Sequence, residues 1–525
     1  MEFSAVSMNT WLYPDSAIDS AKHEIKLSAV RGGYTGFQIL CTGLGAGRMK
    51  VLPAALAGAN CTLEAYRELS VRVELNTGAN GLSAKSWDEA KGYATRKAPF
   101  RVYDALEPVP EAGLDIPAGT QAIYISVQAE SDCAPGTYEG TVRVDVDGEC
   151  AQVRYELTVA AAKLPDESLN LTLFFSLSSM ATEHGVEKWS EEHWKLIEAY
   201  GRLMRRMHQN VFWVTWDTVK VTPRADGGFD FDFANCERLI DLYLKLGFTT
   251  IEGAPVFGRV HYEDSEFSVE DTPMGAIPAL SNQAYDYVAG LLTGWRELLK
   301  RRGWYEHTIQ HVGDEPNTRV ADEYRVLSGT VRKFLPGIRL IDAVEMYELR
   351  GSLDIWVPRN IYYAENRAPF EHLRSLGDEL WFYTCCQPGG HYCNRLLDMP
   401  LLRTRMLFWG NYKYNLTGYL HWGLNHWTPG TNPYEDTCTK SGPDSYWPAG
   451  DTHIVYPLGG NVIGSMRAEM TRCGTEDYEL LRQLSQTQPE HAKAICDRIF
   501  RAFDNCDNSA ADFDAAHDEL VMSAI

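Results

Sequence analysis

Up to about Leu164 the chain alternates apolar and polar residues with period two. His23-Glu24-Ile25-Lys26-Leu27, Leu69 through Leu75, Ala122 through Val127 and Gln152 through Val159 carry the pattern, and Asn80-Gly81, Pro135-Gly136 and Asp147-Gly148 mark turns between such runs. Period two sends successive side chains to opposite faces of a strand. Many short strands joined by polar turns predict a β-sandwich over residues 1–164. Ala160-Ala161-Ala162-Lys163-Leu164-Pro165 reads as its exit linker.

Beyond Pro165 short apolar runs alternate with stretches of helical period. Strands are predicted within Leu169–Leu177, Asn210–Trp216, Thr249–Phe257, Thr308–Glu315, Arg339–Glu345, Leu353–Pro358, Glu379–Cys386 and Thr417–Asn425. Helices are predicted within Glu191–Met207, Asn235–Leu246, Ala284–Arg301, Thr318–Leu335, Pro369–Leu376 and Leu401–Tyr414. Eight such units predict a (β/α)8 TIM-type barrel over residues 165–464, with its active site at the carboxyl ends of the strands. A doubly wound open sheet is the alternative, but no GxGxxG follows any strand. From about Ser465 the pattern turns helical: Thr475-Glu476-Asp477 opens Tyr478–Leu484, Pro489 opens Glu490–Phe503, and Ala510–Val521 follows. Residues 465–525 are therefore expected to form a C-terminal helical region packed on the barrel.

Composition narrows the partners. With 49 basic against 71 acidic residues and a net charge of −22, the chain lacks the clustered cations that nucleic acid or an anionic membrane requires. No apolar run reaches bilayer-spanning length. The start, Met1 through Val6, has neither the basic nor the apolar region of a secretory signal, so a cytoplasmic location is expected unless a leader was removed. Twelve scattered cysteines suggest reduced core thiols. The densest group, Cys385, Cys386, His391 and Cys393, lacks a second paired motif, so no metal or other cofactor is expected. Oligomeric state is left open, a homo-oligomer included.

The chemistry points to Gly313-Asp314-Glu315-Pro316-Asn317, at the end of the apolar run Thr308 through Val312. Neighbours in a regular strand face opposite ways, but Pro316 cannot donate to a ladder and moves Glu315 toward extended or turn geometry. The strand stops at the acidic pair, and both carboxylates can reach one cavity. The plain alternative is a solvated turn with two surface charges.

No predicted strand offers a Schiff-base lysine from its carboxyl half, the first strand has no His-x-His, and the loop Gln387 through His391 has no cation for phosphate. Carboxylate chemistry in an aromatic cleft is what remains. Trp213 and Trp216, Trp356, Tyr362 and Tyr363, Trp381 and Tyr383, and Trp422 and Trp427 sit near strand ends, where rings could carry a sugar's C–H face or simply pack the barrel. His311, on the acidic strand, joins Trp216 as a candidate substrate contact. Glycoside hydrolysis usually needs two carboxylates on opposite sides of the bond, yet strand seven ends Tyr383-Thr384-Cys385-Cys386-Gln387 without one. Enzymes that use the substrate's 2-acetamido oxygen as nucleophile are the exception. There Asp314 would orient the amide and steady the oxazolinium, and Glu315 would protonate the leaving oxygen.

The segments Gly313-Asp314-Glu315-Pro316, Trp381 through Cys386, Trp409 through Gly418-Tyr419-Leu420-His421-Trp422 to Asn425 and Trp427, and Gly450-Asp451 through Tyr456-Pro457 to Ser465-Met466-Arg467 with Glu476-Asp477-Tyr478 together resemble glycoside hydrolase family 123. The resemblance runs from about Leu164 to Leu481. It implies a retaining exo-acting β-N-acetylgalactosaminidase working by substrate assistance on a small oligosaccharide or glycoside, with Asp314 and Glu315 as the catalytic pair. It also implies that Tyr383 bonds the acetamido carbonyl and that Trp422, Asn425 and Trp427 line the pocket. Arg467, Glu476 and Asp477 are expected to form a structural ion-pair cluster. Two other readings stay open: a glycosidase for a sugar without the acetamido group, with Glu345 at the end of strand five or Glu252 on strand three as the second carboxylate, and a carbohydrate-binding barrel without catalysis. Galacto or gluco configuration, aglycone and natural substrate are not legible.

Overall fold

The computed structural model describes residues 1–259, 261 and 264–524. Among them, ten strands between Glu2 and Lys163 form two five-stranded sheets. Their inner faces share one core, with Phe37, Ile39, Ile123 and Ile125 from one sheet against Val142, Val144, Val153 and Leu157 from the other. The strands Gly136–Val146 and Glu149–Lys163 are joined by Asp147-Gly148, both at positive φ, 50° and 93°. That two-residue turn matches the right-handed twist of the strands it connects.

Past Pro165, every predicted strand segment contains a parallel strand, numbered here one to eight: Asn170–Leu173, Val211–Val214, Thr250–Gly253, Thr308–His311, Arg339–Val344, Ile355–Pro358, the split pair Glu379–Leu380 and Phe382–Thr384, and Gly418–His421. Each is shorter than its apolar run, because the ladder ends where the chain turns outward. The helix Leu177–Glu183 starts inside the first run, and a 3-10 turn at Trp216–Thr218 closes the second. The ladders draw two sheets. One joins strands two to six and the first half of strand seven; the other joins strand one, strand eight and the second half of seven. Trp381 separates the halves, its N–H donating to the Trp356 carbonyl at 2.9 Å. Between strands one and two the Asn210 amide accepts from Leu171 N at 3.0 Å and donates to Leu169 O at 2.8 Å. Val211, Ile309, Ile341, Ile355, Tyr383 and Leu420, from six different strands, bury one another in a common inner cluster.

The predicted helices form, most of them on apolar stripes that the sequence spaces at helical period, whereas Leu402–Tyr414 is buried on all sides. Glu191–Arg206 is capped by Ser190, and Asn282–Arg302 is capped by Ser281 and ended by Gly303 at φ 72°. The C-terminal region departs from expectation. Met466–Thr487 is one unbroken helix capped by Ser465, so Thr475-Glu476-Asp477 lies inside it and opens nothing. Nor is it an appendage, since nearly every residue from Met466 to Leu481 is buried. The expected ion-pair cluster separates into three attachments. Arg467 pairs with Asp104 of the N-terminal sheets at 2.9 Å, Asp477 takes both Nε and Nη2 of Arg405 at 2.6 and 2.8 Å, and Glu476 bonds His208 Nε2 at 3.0 Å and accepts from Tyr34 N at 2.9 Å. A helix buried on all sides can carry charge only where each neighbouring element supplies a counter-charge. The helix Pro489–Ile499 ends before Phe503, in a short hairpin of Phe500–Ala502 with Asn505–Cys506, and Ala510–Ser523 follows.

Candidate active site

Strand four delivers the acidic pair through a tight passage. A Cβ on Gly313 would meet the Phe267 ring at 2.7 Å, so glycine is required there. Glu315 then takes φ 43°, a left-handed conformation that costs a non-glycine residue on the order of 1–3 kcal/mol. Pro316 thus leaves Glu315 in a turn and not extended. The strained turn is held from outside: Arg259 Nη2 donates to the carbonyls of Asp314 and Glu315 at 3.3 and 2.7 Å, and the Tyr383 hydroxyl donates to Glu315 Oε1 at 2.5 Å.

The two carboxyls differ in setting. Burial, and then the neighbouring Asp314, push the Glu315 carboxyl up to about 7; Glu345 adds to the rise, while Tyr383 and Arg359 oppose it. Asp314 is open to solvent yet ringed by protein. That desolvation, reinforced by Asp342, raises its carboxyl too, with His311 and Arg259 pulling it back. Glu315 is therefore suited to deliver a proton near neutral pH. Glu345 and Arg359, at the ends of strands five and six, are ion-paired beside it.

Beneath the pair lies a relay of buried polar groups. His311 Nδ1 is 2.7 Å from Asp342 Oδ1, and Nε2 is 2.8 Å from Glu252 Oε1. Asp342 Oδ2 accepts from Val312 N and Gly313 N, both at 3.0 Å, and from the Tyr324 hydroxyl. Glu252 Oε2 accepts from Thr172 Oγ1 at 2.5 Å. Strands one, three, four and five are thereby cross-linked, and the backbone just before Asp314 is clamped.

The other expected contacts divide. Trp422 is half-buried, its indole N–H directed at Asp451, whose oxygens lie at 3.2 and 3.3 Å. Asp451 is fully buried, and burial drives its carboxyl to about 7, with Arg395, Trp422 and Arg467 opposing. It orients Trp422 from behind. Trp216 is also half-buried, donating to the Pro255 carbonyl at 2.8 Å and meeting Trp295 edge-on. Three residues are withdrawn from direct contact with a ligand. His311 is 2% exposed with both nitrogens taken. Asn425 is fully buried, accepting from Ser176 N at 2.8 Å and donating to Ser176 O at 3.1 Å. Trp427 packs into the core against Tyr200. In each case packing, a backbone polar group or a pair of buried carboxylates claims the side chain first. Trp213 is the better-placed ring: it is half-buried, stacks on Phe174 at 3.7 Å, and meets His311 edge-on.

The N-terminal sheets contribute a wall. Asp398 accepts from Thr77 N and Thr77 Oγ1, both at 2.7 Å, and pins the loop carrying Gly81. A Cβ on Gly81, at φ 82°, would strike the Cys386 carbonyl at 2.1 Å, directly after strand seven. The thiols nearby stay separate, with Cys385 and Cys386 sulfurs 3.9 Å apart and Cys393 3.5 Å from Cys506. Among the described residues no group of three or more His, Cys, Asp or Glu side chains is arranged to hold a metal ion.

Sequence reasoning missed Asp342, Arg259 and Tyr324, and named Glu252 and Glu345 only as reserve carboxylates. Signals existed for two: Glu252 and Asp342 interrupt the apolar strands Thr250–Gly253 and Arg339–Val344, and a lone charge in such a strand needs a buried partner. Arg259 and Tyr324 lie in segments with no comparable mark.

Comparison with known proteins points to one family. The catalytic-domain model of glycoside hydrolase 123 matches residues 174–484. A family 123 glycoside hydrolase from Clostridium perfringens, studied for glycolipid glycan hydrolysis, superposes with a TM-score of 0.76 at 14% identity, over 99% of this chain and 98% of that one. β-Glucuronidases from Parabacteroides merdae and Bacteroides uniformis, each at 9% identity and TM-score 0.32, cover 87% and 86% of this chain and 50% and 51% of their own; so distant a likeness carries no argument. Among curated proteins none matches. The family match spans more than half of the chain and includes the acidic pair, strand seven and the end of strand eight: this chain belongs to glycoside hydrolase family 123.

Proposed function

We propose that the protein is a retaining exo-glycosidase that removes a terminal β-linked N-acetylhexosamine, N-acetylgalactosamine by preference, through substrate assistance. Glu315 is the general acid. Asp314 accepts the acetamido N–H and stabilises the oxazolinium that forms when the acetamido oxygen attacks C1. One observation carries the reading: a carboxyl raised to about 7 follows directly on a second carboxylate, while strand seven ends without an acid to act as enzymic nucleophile. Tyr383 bonds the acid in the structure, and with substrate bound we assign its hydroxyl to the acetamido carbonyl. The galacto preference rests on the family resemblance. The glycolipid glycans linked to the Clostridium relative place similar short glycans among the substrates to try.

This reading takes the two parallel sheets as one closed (β/α)8 ring. The shared strand seven, the Asn210 bridge between strands one and two, and the inner cluster drawn from six strands support closure. It keeps the division at residues 1–164, 165–464 and 465–525, with the last region threaded between the first two. Among the described residues no helix is long and apolar enough to cross a membrane.

The test is a screen of aryl β-glycosides in galacto and gluco configuration, with and without the 2-acetamido group, alongside a thiazoline mimic of the bicyclic intermediate. Hydrolysis confined to 2-acetamido substrates and strong thiazoline inhibition are expected, as for transition-state-like ligands. A sugar ester trapped on any Asp or Glu, or equal hydrolysis of sugars lacking the acetamido group, would return the site to two-carboxylate chemistry.

A further inference from the structure

We propose that His311 is a positioning residue for this reaction: clamped between Glu252 and Asp342, it carries a fixed positive charge that keeps Asp314 ionised and locks the backbone leading to it. The proposal rests on the roles given above to Asp314 and Glu315.

The charge follows from geometry. A neutral imidazole has one N–H and one lone pair, yet His311 faces a carboxylate oxygen at hydrogen-bond distance on each nitrogen. A ring with one lone pair would aim it at an anion. With both carboxyls ionised, both contacts are satisfied only when both nitrogens are donors, which is the imidazolium. Solvent does not compete, since His311 is 2% exposed and Glu252 and Asp342 are fully buried. The edges of Trp213 and Phe174 cover the ring. In agreement, burial works against the charged ring and the two carboxylates override it, carrying its pKa up to about 10.

The groups that face this charge can be named element by element. Glu252 comes from strand three and Asp342 from strand five. Thr172 of strand one donates to Glu252, and Tyr324 of the helix Ala321–Phe334 donates to Asp342. Two carboxylates against one cation leave the relay one negative charge in excess, spread over Thr172, Tyr324 and the N–H groups of Val312 and Gly313. Asp342 raises the Asp314 carboxyl, whereas His311 and Arg259 lower it. Without the cation, Asp314 would sit above two uncompensated buried carboxylates and hold its proton to higher pH. A protonated Asp314 cannot accept the acetamido N–H as an anion, nor balance the oxazolinium. Where Asp314 is ionised in both proteins, Glu315 meets the same Asp314, Tyr383, Glu345 and Arg359, and its own limb should not move.

The experiment compares pH profiles of kcat/KM for the parent, His311→Gln and Glu252→Gln, on a 4-nitrophenyl 2-acetamido-β-glycoside cleaved in the screen. His311→Gln should lose about tenfold or more in kcat with little change in KM, and its acidic limb should move up by about one pH unit, the basic limb staying in place. Glu252→Gln keeps both hydrogen-bond positions and guards against misfolding of the first variant. With one carboxylate fewer against the same cation, its acidic limb should move down, opposite to that of His311→Gln. Nitrogen-15 NMR of histidine-labelled parent protein reads the ring without reference to turnover, and doubly protonated nitrogens at pH 8 are expected. A neutral ring, or losses equal at every pH with both limbs unmoved, overturns the proposal. If the parent cleaves no glycoside, the assigned reaction fails, and the NMR result still decides the charge.

Discussion

At the end of strand four and along the helix Met466–Thr487, charged side chains are buried in quite different company. The helix pairs its charges with opposite ones, mostly from other elements: Arg467 with Asp104, Asp477 with Arg405, and Glu469 with Arg206 and, within the helix, with Arg472. At Glu469 the pairing pushes the carboxyl toward the ionised form, burial being outweighed by the two guanidiniums and the Tyr124 hydroxyl. At strand four, carboxylates crowd one another around a single histidine, and Asp314 and Glu315 are both raised. Matched charges hold parts together; mismatched ones store a proton for use. The contrast separates architecture from chemistry in a molecule with 71 acidic residues, where a count of buried acids would not.

The largest expected effect sharpens the chemical side. Glu315→Gln should lower kcat on an unactivated glycoside by about two to four orders of magnitude, the usual contribution of a general acid, with the melting temperature nearly unchanged. The loss should shrink on aryl glycosides with acidic leaving groups. Parental rates on the unactivated substrate would remove Glu315 from the acid role and favour a binding protein.

Arg467→Ala breaks the architectural side. It strands Asp104 in an interface from which water is excluded, and orphaning one partner of such a pair costs about 3–5 kcal/mol. Chemical denaturation should show that loss, while whatever folded protein remains keeps the parental pH profile. A shifted profile at full stability would mean that the helix, too, tunes the site.

Tyr383→Phe should reduce kcat more than it raises KM. Because the tyrosine hydroxyl lowers the Glu315 carboxyl, its removal should move the basic limb of kcat/KM upward from near pH 7. Unmoved limbs with only KM raised would place Tyr383 in binding alone.

The smallest effect concerns His208, which Glu167 and Glu476 carry to about 9 against the opposing effect of burial. A histidine raised in the folded state stabilises fully below its unfolded value of about 6.5, and that share fades as pH rises through about 9. The parent should therefore lose thermal stability between those values more steeply than His208→Asn. Parallel curves for the two proteins would show that the clamp contributes no pH-dependent stability.

Pattern alone sufficed for much of this molecule. Period two and turn residues marked the N-terminal strands, alternation of strand and helix marked the parallel ones, and Pro316 after two acids marked the reactive turn. These are local properties, set by backbone sterics and the spacing of apolar residues within a few positions. Folding decided what depends on residues distant along the chain. Asn425, Trp427 and His311 looked available in sequence, but a backbone segment, a core and two carboxylates had the prior claim. Thr475-Glu476-Asp477 resembled a helix start, and partners as remote as Tyr34, His208 and Arg405 made it a helix interior. The elevation of Glu315 has the same origin. Desolvation and Coulomb forces act across space, so the acid at strand four took its character from Asp314 beside it and from Tyr383, Glu345 and Arg359 on three other strand ends.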